Sequence, residues 1–160
     1  MATATETSDR EGAADVAARG DWTAGVIGGI VGAAAMASLV LATDPATMGV
    51  TIPSLYGLAP PERVGVGLAI HLSHGAVLGV AFAAVVGALG VDSTLETVAL
   101  GAVWGVLTWV VLILLVLPVW LSIVGSPASS ASSDVLAPLL WHLLYGVVLA
   151  VVYSATSEAA

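Results

Sequence analysis

Long apolar runs alternate with short polar breaks along this chain. The first run is Trp22–Thr43, stopped by Asp44-Pro45. The second covers roughly 61–89, the third roughly 94–117 and the fourth roughly 134–154. Each reaches or exceeds the roughly 20 residues that a helix needs to cross a bilayer. Their interiors hold no acid or base other than histidine. Four buried helices of that length in one small soluble domain would be exceptional, because a helix apolar all round must be covered all round. The pattern predicts an all-α integral membrane four-helix bundle.

The run ends carry helix signals. Pro60-Pro61-Glu62 reads as an entry, with proline in the first turn and an acid near the positive dipole end. Ser93 and Glu96 have capping-box spacing. Pro118 marks the expected end of the third helix, and Asp134 is the expected cap of the fourth. The connections alternate in length. Residues 44–60 form a long loop containing Thr51-Ile52-Pro53-Ser54 and Tyr56-Gly57, 90–93 a very short turn, and 125–133 a serine- and alanine-rich loop. Both long loops therefore lie on one side, and the short turn with both termini on the other. Arg10 and Arg19 flank the terminus side and Arg63 the loop side, so the excess of basic residues places both termini in the cytoplasm by a single residue.

The second half of the chain repeats the first. His71-Leu72-Ser73-His74-Gly75-Ala76-Val77-Leu78 matches His142-Leu143-Leu144-Tyr145-Gly146-Val147-Val148-Leu149 at an offset of 71. Gly28 and Gly32, followed by Pro45, match Gly101 and Gly105, followed by Pro118, at an offset of 73. The reading is a tandem duplication, with repeat one at about 22–90 and repeat two at about 93–155. Each unit has two crossings, so the copies run parallel about an axis along the membrane normal. The glycine pairs let helix backbones approach closely. They are expected where the first and third helices meet, or where each meets its hairpin partner. Gly25 and Gly29 extend the first face, and Gly67, Gly75 and Gly79 make another on the second helix, with Gly146 as the equivalent of Gly75. A homodimer seam is the alternative use.

The one polar feature inside the runs is histidine. His71 and His74 are three apart and share a helix face. His142 and Tyr145 take the equivalent places on the fourth helix. Both sets lie roughly 12–15 Å in from the long-loop side, at a rise of about 1.5 Å per residue. Three readings share these residues. In the first, the imidazoles, Tyr145, Ser73 and a backbone carbonyl satisfy one another and lock the helices together. In the second, His71 and His142 ligate a b-type haem. In the third, the histidines line a path for a proton or small solute. A three-histidine metal site is a fourth possibility. The absence of Asp, Glu, Arg and Lys at this depth favours the lock, and no cofactor is expected. Ser73 beside His74 has no triad context, so the chain is not expected to be an enzyme.

Composition supports the membrane reading. The chain is 59% hydrophobic and 9% charged, with a mean hydropathy of +1.06, against about 25% charged residues in soluble domains. Eleven acids face three arginines, and there is no lysine. Glu6, Asp9, Glu11, Asp15 and Asp21 crowd the first residues. Residues 1–20 read as a disordered acidic tail with no signal peptide, and 21–158 as a single domain. The balance argues against binding nucleic acid or anionic headgroups. It fits an extreme halophile, in whose molar salt charges are screened within about 3 Å; a GC-rich genome and few surface positions are the alternative. The absence of cysteine removes disulfides and thiolate chemistry. Trp22, Tyr56, Trp120, Trp141 and Tyr153 are placed at the two interfaces as anchors, and Trp104 and Trp109 deeper as packing residues.

The order Gly-xxx-Gly, Leu117-Pro118-Val119-Trp120-Leu121, then His142-Leu143-Leu144-Tyr145-Gly146 resembles a family of small haloarchaeal four-span membrane proteins of unknown function. Some members carry a histidine kinase label. This chain has neither a phosphotransfer nor an ATP-binding domain, and that label is rejected. The resemblance implies a multi-pass cell-membrane protein with the lipid bilayer as its first partner. The leading functional expectation is a structural or accessory subunit of a complex or homo-oligomer. A transporter or channel, or a haem-binding redox subunit, are the alternatives.

Overall fold

The computed structural model describes residues 20–125 and 136–157. Its four long helices are α1 (Trp22–Thr43), α2 (Val64–Leu89), α3 (Thr94–Ile123) and α4 (Leu136–Ser157), and each is long and apolar enough to cross a membrane. There is no strand among the described residues. The acidic tail with Arg10 and Arg19, the serine-rich loop and the expected cap Asp134 lie outside the described residues.

The helix ends follow local chemistry. Asp21 caps α1, its Oδ1 accepting from the backbone N–H groups of Thr23 at 2.9 Å and Ala24 at 3.0 Å. Ser93 caps α3, accepting from Glu96 N at 3.2 Å and donating its hydroxyl to Glu96 Oε2 at 2.9 Å. The glutamate of the expected box thus binds the serine side chain. Gly90 ends α2 at φ +63°, the left-handed position that glycine takes without steric cost.

Two boundaries differ from expectation. The second helix begins at Val64, so Pro61 and Glu62 precede it and do not form its first turn. Arg63 occupies the N-cap position at φ −141°, and its N–H donates to Gly49 O at 2.8 Å. The chain is pinned to the preceding loop before the helix can start. The third helix runs through Pro118 to Ile123. It does so because Trp109–Val116 is π-helical, with Leu117 N–H bonded five residues back to Leu112 O. The wider turn relieves the clash that proline causes with the carbonyl of the preceding turn.

The loop at 44–60 is itself structured. A π-helical turn, Thr47–Thr51, runs into a short helix, Ile52–Ser54. Met48 and Pro53 are fully buried, and the Met48 carbonyl lies directly on Gly67.

Glycine decides which helices touch. α1 sits between α2 and α4, and α4 between α1 and α3. A Cβ at Gly25 would lie 2.6 Å from Gly79 O, and one at Gly29 would overlap Gly75 O. On the other side of α1, Cβ atoms at Gly28 and Gly32 would lie 2.7 Å from Leu149 O and 2.8 Å from Tyr145 O. Gly101 and Gly105 of α3 lie on Gly146 and His142, in their hairpin partner. Gly28 and Gly32 were expected at α3 or α2, but they face α4. The 73-residue match therefore pairs glycines that meet different neighbours.

Helices α2 and α3 follow one another through the shortest turn, yet they scarcely meet. Their bridge is an aromatic pair, Phe82 and Trp104, with centroids 6.0 Å apart. Trp104 packs as a hydrophobe, with no hydrogen bond to its Nε1. Trp141 and Tyr153, expected as interface anchors, are core residues at 7% and 4% exposure. Tyr153 sits edge-on to Phe82 and accepts Asp21 N–H at 3.2 Å. The spacing that brings α1 and α4 within glycine distance draws both rings inward.

A matched pair of substitutions tests this packing. Gly79→Leu drives a side chain into the α1 backbone and should lower unfolding stability by about 1–3 kcal/mol or more. Gly65 has open space around it, so Gly65→Ala should be neutral or stabilising by up to about 1 kcal/mol. Thermal unfolding in detergent reads both; equal melting temperatures would contradict glycine-limited packing.

Candidate functional site

The polar side chains expected to meet one another meet backbone carbonyls instead. His71 Nε2 lies 3.2 Å from Ala33 O on α1. A carbonyl only accepts, so this nitrogen carries the proton. His142 Nδ1 donates at 2.8 Å to Pro138 O, one turn back on α4. Tyr145 donates its hydroxyl to Gly75 O on α2 at 3.0 Å. That bond spans the bundle because Gly75 has no side chain to shield its carbonyl.

His74 and Ser73 leave the group. His74 Nε2 is 2.7 Å from Tyr56 OH, in the loop before α2. Ser73 turns to the exposed side and donates to its own helix at Ala69 O, 2.8 Å away. The reason is angular: Ser73 lies two residues from His71, about 200° around the helix. His71, His142 and Tyr145 are thus gathered on the inner faces of α2 and α4. His74 belongs to the loop contact, and Ser73 to neither. The packing glycines Gly28, Gly32, Gly75, Gly101, Gly105 and Gly146 are all buried, and they form the floor on which this group rests.

Tyr56 is the partner that sequence reasoning did not find. It was read as an interface anchor, and nothing in the spacing ties it to His74 across a folded loop. A second tie holds the same loop, with Trp120 Nε1 of α3 donating to Leu55 O at 2.8 Å. Residues 55 and 56 therefore link α2 to α3 at the end where those helices diverge.

His71 commits Nε2 to Ala33 O, so His71 and His142 do not offer matched free Nε2 atoms to one iron, and the residues do not fit a bis-histidine haem. Among the described residues, no group of three or more His, Cys, Asp or Glu is arranged to hold a metal ion. What remains is a set of bonds that fix helix rotation. Inside lipid such bonds contribute on the order of 0.6–2 kcal/mol each.

Tyr145→Phe removes only the hydroxyl and should cost about 0.6–2 kcal/mol of stability. His74→Ala releases an exposed contact and should cost less. Chemical unfolding in mixed micelles measures both; a larger loss for His74→Ala would reverse the assignment of the lock to Tyr145.

No curated protein and no solved structure matches the chain. A family of unknown function, DUF6789, matches residues 20–160, which include all four long helices and the polar group they carry. By that match over most of its length, the chain belongs to the DUF6789 family.

Proposed function

We propose that this chain is a multi-pass cell-membrane protein without enzymatic activity, acting as a structural or accessory subunit of a membrane complex. The observation that carries this reading is α3. Only 11% of its most apolar stretch is buried within the chain, against 50% for α1, although it is the most hydrophobic of the four helices. Val103, Val106, Leu107 and Leu115 are exposed along it. In the polar group, by contrast, His71, His142 and Tyr145 each spend a hydrogen bond on a backbone carbonyl of the bundle. A lipid-facing helix and a silent interior suit a subunit that is recognised by its surface.

The halophile composition, the cytoplasmic termini and the tandem duplication belong to the same proposal. The contacts suggest a closer register for the duplication. Gly29 lies on Gly75 as Gly101 lies on Gly146, an offset of 72 for the odd helices beside 71 for the even ones. In that register Gly28 and Gly32 correspond to Leu100 and Trp104. The large residues account for the wide seam between α2 and α3, where the other copy has glycine and a tight one.

A conduction path past His71, His74 and His142 is disfavoured by what lies beyond them. Phe82 and Leu149, further along the same two helices, have no exposed surface. The experiment is affinity purification from native membrane, with an absorption spectrum of the eluate. Fixed partners at constant ratio and no Soret band are expected. Exchanging Val106 and Leu107 for tryptophan should release the partners without changing the melting of the purified chain. A protein that purifies alone would remove the accessory role, and a Soret band would restore the haem reading.

A further inference from the structure

Helix α3 is built in two halves. The first, Thr94–Thr108, is locked to α4 by backbone contact, because a Cβ at Gly101 would overlap Gly146 O and one at Gly105 would overlap His142 O. Thr97 and Thr108 are buried beside them. Beyond Thr108 the packing stops. No residue of the π-helical stretch Trp109–Val116 is buried, and in Leu117–Ile123 only Leu121 is. This second half scarcely touches the other long helices.

The break in packing coincides with a break in the backbone bonding. π-helical segments are mostly single turns, and this one runs for eight residues. Helices bend sharply at π turns and at proline. Pro118 follows two residues after the stretch ends and has no N–H of its own. In lipid a hinge has to keep its backbone groups bonded. A π turn meets that condition, since an N–H that moves from the carbonyl five residues back to the one four back exchanges one bond for another.

The loop at 44–60 holds the free half in place. It is anchored on α2: the Met48 carbonyl lies on Gly67, Arg63 N–H donates to Gly49 O at 2.8 Å, and Tyr56 OH is 2.7 Å from His74 Nε2. Its tie to α3 is the bond from Trp120 Nε1 to Leu55 O, at 2.8 Å. Several anchors on one side and this bond on the other make Trp120 the point at which the two helices part.

We infer that α3 is a jointed helix, whose arm Trp109–Ile123 swings on the π-helical stretch and is latched to α2 by the bond between Trp120 and Leu55. With the latch closed, the loop bridges the seam between α2 and α3. With it open, the arm moves away from α2 and the seam widens toward lipid at the long-loop end. The device is a lateral gate. It rests on the fold and not on the accessory role: Val106 and Leu107 lie on the fixed half, so loss of a partner and loss of the gate are read separately.

The test measures distances between pairs of spin labels in the full chain, reconstituted in lipid nanodiscs. The chain has no cysteine, so labels attach only where cysteine is introduced. Ala69→Cys with Val119→Cys spans the seam above the joint, and Ala69→Cys with Val103→Cys spans it below; all three positions are exposed. In the otherwise unchanged chain, the upper pair should give a main distance with a minor longer component, and the lower pair one narrow distance. Trp120→Phe removes the donor and keeps a ring. It should raise the ratio of long to short distances in the upper pair on the order of three- to thirtyfold, the weight of one interhelical hydrogen bond in lipid. The lower pair should not change. An upper distribution no broader than the lower one in the unchanged chain would overturn the joint, as would a lower pair that shifts together with the upper. An upper pair indifferent to Trp120→Phe would overturn the latch.

Discussion

Backbone-to-backbone approach at glycine is the constraint on which the rest of this structure depends. α1 presents glycine on two faces, Gly25 and Gly29 toward α2 and Gly28 and Gly32 toward α4. A side chain at any of these positions would meet a main-chain atom of the neighbouring helix, which cannot move aside without shifting the helix. In a bilayer, apolar side chains gain nothing by leaving lipid for protein, so close packing and dispersion must hold the helices together. α1 becomes the centre of the bundle because it is the helix that two others can approach.

The polar chemistry follows from that spacing. Tyr145 reaches Gly75 O because a glycine carbonyl is open to its neighbour, and His71 reaches Ala33 O because α1 and α2 are close. These bonds end on the backbone, so they fix rotation and depth. Where α3 carries large residues, at Leu100 and Trp104, its seam with α2 is wide. The loop then spans the gap through Tyr56 and Leu55. The tight side of the bundle holds it together and the loose side exposes α3, on which the proposed accessory role rests.

Much of the architecture was legible in the chain. Uniform apolarity over more than a membrane's thickness is a strong signal, and Asp21 and Ser93 act locally, so their caps could be read directly. The boundaries at Val64 and Ile123 could not. One depends on Arg63 reaching the Gly49 carbonyl and the other on a π-helical register, and neither has a side-chain signature. The site was legible only as a set of residue types at one depth. His71, His142 and Tyr145 stood out as polar residues within apolar runs, but Tyr56 was not seen as a partner of His74. The contact of Tyr56 is set by the fold of its loop.

By itself, then, the sequence determined how many helices there are, where most of them start, and which small residues allow close contact. The tertiary structure alone decided which helices those contacts join and which carbonyl each polar group finds. The physical reason is that lipid and protein are equally apolar. A helix greasy on every side carries no periodic signal of its buried face, and glycine marks where a neighbour can come close without saying which neighbour it will be.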